Sequence, residues 1–121
     1  LLGTTPIEKA TISMWQRQVE MALMLQVGMC FQHTTGYFKD RMVPVPEYGK
    51  EAGINASKYF NILERRLELN EFIAGDTFSI ADITALCAID FARVVDIRIK
   101  DEQTNLQRWY DNVSSRASAK A

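Results

Sequence analysis

The sequence holds no run of about 18 uncharged apolar residues, the length a membrane-spanning helix needs. It also has no basic-then-apolar leader ending in small residues. A soluble, cytoplasmic protein with no membrane partner is the expectation. Cysteine is scarce: Cys30 and Cys87 stand far apart in apolar runs, with no CxxC pair and no histidine at ligand spacing. Both are read as packed, reduced thiols, with no metal site expected. Charge of one sign is lacking too. Fourteen Lys plus Arg against fifteen Asp plus Glu gives a formal charge of −1, with the signs interspersed, so no nucleic-acid partner is expected. No segment of more than a few residues alternates with period two, which removes the strand signal. Internal repeats are absent, and Leu1 stands where an initiator Met would be, so an upstream segment is expected.

What is present is the material of one helical domain. The chain has 121 residues, 47% of them hydrophobic. That size buries about two thirds of its unfolded surface without a disulfide or metal. Leu1 to Pro6, with Gly3 and Pro6, reads as a linker or arm. From Ile7 to about Phe31, Ile12, Trp15, Val19, Ala22 and Leu23 form one apolar stripe, and Met14, Arg17, Met21, Met24, Gly28 and Phe31 a second. Gln32 to Gly49 breaks the pattern. A helix from about Pro46 or Tyr48 to Leu69 follows, with Ala56, Tyr59, Phe60, Leu63 and Leu67 on one face.

The strongest boundary comes next. Gly75 offers a turn that other residues adopt at a cost, and Ser79 stands three residues before Asp82. Ser79 can accept from the backbone of Asp82 while the Asp82 carboxylate reaches back to the amide of Ser79, as in a capping box. Phe78 and Ile83 occupy the positions of a hydrophobic staple. From about 80 to 95 the helix is apolar nearly all round and is expected at the centre of the domain. A charged turn, Arg98 to Glu102, leads to a last helix through Leu106, Trp109, Tyr110 and Val113, with fraying expected after Ala117. The class is all-α.

The run Phe72-Ile73-Ala74-Gly75-Asp76-Thr77-Phe78-Ser79-Ile80-Ala81-Asp82-Ile83 resembles the segment that opens the core helix of cytosolic glutathione transferases. Trp15 to Glu20 is similar to the first helix of that family's C-terminal domain in bacterial members, and Leu106 to Ala121 to its last helix. Ala117 departs from the proline that many relatives carry there. The resemblance implies a glutathione transferase C-terminal-like bundle over residues 7–121, with 1–6 a remnant of the interdomain linker. The thioredoxin-like N-terminal half that would hold glutathione and activate its thiol is absent from the segment.

On this reading no catalytic residue lies in the chain, and Ser79 and Asp82 are structural. The resemblance implies that Met21, Met24, Gly28 and Phe31 line a pocket for a small apolar electrophile. The same stripe is also readable as core, with Gly28 a close-packing point for another helix. Arg17 is implied to lie at a subunit interface or near a glutathione site, or else forms an exposed salt bridge. His33 reads as a surface or helix-end residue, and Tyr37, Phe38 and Tyr48 either roof a pocket or pack down. The parent is expected to be a homodimeric detoxification enzyme with glutathione as co-substrate and no other cofactor, the segment alone being inactive. The alternative is a protein-interaction module of the same fold.

Overall fold

The computed structural model describes all 121 residues. The first helix begins one residue earlier than its periodicity suggests, because the arm before it is a cap. Thr5 Oγ1 accepts the amide of Glu8 at 3.1 Å, and Pro6 occupies the first helical position, where no N–H is needed. The Glu8 carboxylate accepts the amide and hydroxyl of Thr4, each at 3.0 Å, and these bonds hold its carboxyl below the ordinary glutamate value. Gly3, at φ +89°, lies so close to Glu8 and Lys9 that a Cβ would meet them at 3.0 Å.

From this cap run α1 (Pro6–Val19), a π-helical turn (Glu20–Met24) and α2 (Leu25–Thr34) as one rod. Then come α3 (Pro46–Glu68), α4 (Ile80–Ala92) with a 3₁₀ turn (Arg93–Val95), α5 (Thr104–Ser114) and a final 3₁₀ turn (Ala117–Lys120). That last turn, all of it exposed, occupies the stretch where fraying is expected. An isolated antiparallel bridge, Phe72 with Gly75, forms the turn before α4, and Gly75 takes φ +146°, a conformation L side chains rarely adopt.

Helices α2 and α3 approach closely at glycines. A Cβ on Gly49 would lie 2.7 Å from Thr34 Cγ2 and 2.8 Å from His33 Cβ, and one on Gly53 would lie 3.0 Å from Cys30 Sγ. His33 closes the connection, accepting the amide of Val45 on Nδ1 at 2.9 Å and meeting Tyr48 edge-on. The core gathers Val19, Leu23 and Val27 with Phe60, Leu63, Leu67, Leu106, Trp109 and Val113 around α4. The buried face of α4 is alanine: Ala81, Ala85, Ala88 and Ala92 recur at helical spacing and let neighbouring helices come near.

Two expectations about α4 need correcting. Its opposite side, with Ile83 and Cys87, and Val94 in the turn after it are exposed, so the helix is central without being enclosed, and Cys87 is not packed. The Phe78 ring before the cap stands edge-on to Phe72 and beneath the Arg116 guanidinium.

Candidate functional site

Asp82 is the most connected polar side chain of the interior. It is fully buried, and besides the Ser79 amide at 2.9 Å it accepts the Ile73 amide at 3.0 Å and the Trp109 indole N–H at 2.8 Å. Ser79 Oγ faces the first turn and accepts the Ala81 amide at 3.3 Å, completing the box. Burial raises the Asp82 carboxyl above its ordinary value, opposed by its N–H donors. With every oxygen committed to the fold, Ser79 and Asp82 stand where the cap reading puts them. The sequence left out the link to Trp109, which joins α4 to α5.

The second stripe of the first helix lies at the surface. Met21 is 54% exposed, while Met24, Gly28 and Phe31 are partly exposed. Gly28 is not a packing point for another helix: a Cβ built on it meets nothing within 4 Å. At the end of the row Phe31 joins three other rings, with centroids 5.5 Å from Tyr37, 6.1 Å from Phe38 and 5.2 Å from Phe91. Tyr37 and Phe38 thus pack onto Phe31, while Tyr48 goes to His33. The π turn sits within the row, adding one residue to the helical repeat between Arg17 and Gly28. Arg17, with a side chain 74% exposed, meets Glu20 at 3.4 Å. Beneath them Gln16 exchanges hydrogen bonds with Thr84 of α4 at 2.8 and 3.0 Å, tying the two helices together.

The larger cavities lie elsewhere. The biggest, about 730 Å³, is lined by residues of α2, α3 and the segment after α4, with none of the Met21 to Phe31 row among them. No cluster of His, Cys, Asp and Glu could hold a metal ion. No helix is long and apolar enough to cross a membrane.

Residues 23–117 match the family described as glutathione S-transferase, C-terminal domain. The chain belongs to that family. Its all-α bundle is the glutathione S-transferase C-terminal fold. Over 99% of its length it is 30% identical to glutathione S-transferase 2 of Saccharomyces cerevisiae, covering 52% of that protein. The crystal structure of Gtt2 from Saccharomyces cerevisiae superposes with a TM-score of 0.94 at 30% identity, covering 99% of this chain and 59% of that one. A glutathione S-transferase domain-containing protein from Marinobacter aquaeolei superposes with a TM-score of 0.92 at 33% identity, covering 98% of this chain and 59% of that one. The chain spans about half the length of the curated glutathione S-transferases it matches.

Proposed function

We propose that this chain is the helical half of a glutathione transferase and supplies the apolar side of its electrophile pocket. The observation that carries the reading is the open space at Gly28, in one row with Met24 and with Phe31, whose ring meets Tyr37, Phe38 and Phe91. Methionine and aromatic side chains suit a site that accepts varied apolar shapes. A thioredoxin-like half would hold glutathione and lower its thiol pKa with a hydrogen-bond donor, the thiolate being the nucleophile. Its sulfur attacks the electrophilic carbon, the new C–S bond forms, and a leaving group such as halide departs with the bonding pair. Arg17 lies beside the row, next to the glutathione site or a second subunit. The parent is a cytoplasmic homodimer acting in detoxification, with glutathione as co-substrate and no other cofactor.

The test compares the chain with the parent enzyme, using glutathione and an aryl halide. The chain alone should give no turnover above the uncatalysed rate. In the parent, Gly28→Leu should raise KM for the aryl halide at least tenfold and leave KM for glutathione within twofold. Turnover by the purified chain, or a change in glutathione KM alone, would overturn the reading. A parent without a thioredoxin-like half would leave the interaction-module alternative in its place.

A further inference from the structure

The connection between α2 and α3 carries two of the rings that meet Phe31, Tyr37 and Phe38. Its first part is tied locally. Gly36 takes φ +71° as the chain leaves α2. Lys39 then donates to Gly36 O at 3.1 Å, and Arg41 and Met42 donate to Phe38 O at 2.9 and 3.1 Å. The Tyr37 amide donates to Thr35 Oγ1 at 3.3 Å, and the Thr35 hydroxyl donates to Phe31 O at 2.6 Å. Each of these bonds stays within the turn or reaches the last turn of α2.

The second part has much less to hold it. Val43 is 84% exposed, and Pro44 has no amide to give. From Val43 to the start of α3, one hydrogen bond ties the chain back to α2: the Val45 amide donates to His33 Nδ1 at 2.9 Å. Val45 stands at the N-cap of α3, where no side chain caps the helix, so this bond fixes where the connection ends. His33 is itself held in place. Its ring meets Tyr48 of α3 edge-on with centroids 5.1 Å apart, and a Cβ on Gly49 would lie 2.8 Å from His33 Cβ. Nδ1 accepts only while it carries no proton, so the bond selects the tautomer with hydrogen on Nε2.

Tyr37 is 70% exposed, and its other ring contact is Phe38, at 4.9 Å. Contacts between rings contribute little by themselves at so exposed a place. The position of Tyr37 and Phe38 on Phe31 therefore depends on how both ends of the connection are fixed. We propose that His33 is a positioning residue for the electrophile: by holding Val45 it keeps the Tyr37 and Phe38 rings against Phe31, without contacting the electrophile itself. The proposal rests on the electrophile-surface reading above and adds to it a residue on the α3 side of the first helix.

Hydrogen exchange in the unaltered chain, followed by NMR, tests the tie without any substitution. Relative to intrinsic rates, the Val45 amide should exchange at least tenfold more slowly than the Val43 amide; equal protection would overturn the proposal. In the parent enzyme, His33→Leu should raise KM for the aryl halide at least fivefold and leave kcat and KM for glutathione within twofold. His33→Asn, whose Oδ1 can accept in place of Nδ1, should keep all three within twofold of the parent's values. Tyr37→Ala with Phe38→Ala should raise the aryl halide KM as His33→Leu does, and combining the three should raise it less than twofold further, because they act through one set of rings. The assignment falls if His33→Leu leaves that KM unchanged, if His33→Asn fails to restore it, or if the His33 effect adds in full to that of the ring variants. Gly28→Leu reads the electrophile surface directly. A raised KM there beside an unchanged one in His33→Leu overturns the role of His33 alone, whereas an unchanged KM in both overturns the surface reading with it.

Discussion

Two buried polar side chains show how a single residue's partners set its worth. Asp82 has three N–H donors, whereas the Tyr59 hydroxyl, in a residue only 3% exposed, has no partner at all. Removing a cap hydroxyl costs about 1 kcal/mol, which sets the expected loss for Ser79→Ala. Asp82→Ala also orphans the buried N–H groups of Ile73 and Trp109, so about 3 kcal/mol or more is expected, given about 1–3 kcal/mol per unsatisfied buried group. Their double mutant should fall short of the sum, since the two side chains share one box; urea midpoints measure all three. Tyr59→Phe deletes a desolvated hydroxyl and should be as stable as the parent or up to about 1 kcal/mol more stable. Burial pushes the Tyr59 hydroxyl up to about 12. A raised folded value means that its contribution is intact below the unfolded value near 10 and is lost as pH rises through about 12. Between pH 9 and pH 11 the parent should therefore lose about 1.4 kcal/mol relative to Tyr59→Phe. Equal losses in the two proteins would remove the argument.

Among the elements, three helical glycines separate by what surrounds them. Gly49 touches α2 so closely that a methyl has no room, at Gly53 a methyl would press on Cys30 Sγ at 3.0 Å, and Gly28 has open space. Replacing Gly28 by Ala should stabilise the chain by about 0.5–1 kcal/mol, the helix-propensity difference. Gly49→Ala should cost about 1–3 kcal/mol through overpacking against Thr34 and His33. A destabilising Gly28→Ala in thermal melts would show that the glycine serves the fold and not an outside occupant. Sequence alone could not make this distinction, because a glycine at helical spacing looks the same whether it faces a helix or a void. The start of α4 was legible because Ser79 and Asp82 signal locally. The start of α1 was marked as clearly, by Thr5, Pro6 and Glu8, but the glycine and proline drew the arm toward a linker reading. No local signal announces the π turn, nor the cap of α5, whose Leu106 amide donates to Glu64 of α3 at 2.8 Å. That bond spans 42 positions and depends on tertiary packing.

At the scale of the whole molecule, the helix count, the order of elements and the central place of α4 followed from periodicity, because burial on one side imposes it. The exposed sides were harder to read, since an apolar residue gives the same signal whether its own chain covers it or not. Ile83 and Cys87 on α4, and Val94 in the turn after it, show this. On the first helix Ile7, Met14 and Met21 recur at spacings of seven and Leu25 follows, all exposed, at 80%, 45%, 54% and 41%. Apolar side chains spread from Ile7 to Leu25 along one rod, about 27 Å by the helical rise, form a surface of the kind that soluble proteins bury against another chain. Self-association of the chain is therefore expected to grow with concentration in sedimentation equilibrium. Met14→Glu with Met21→Glu should return it to monomer, while the urea midpoint moves by less than about 0.5 kcal/mol, as for other exposed sites. Substitution at Met24 or Phe31, which are only partly exposed, should leave the association unchanged. If the chain stays monomeric at every concentration, this face is not a homotypic contact. If Phe31 variants dissociate the complex instead, the aromatic cluster is the interface, and its place in the electrophile surface must be given up.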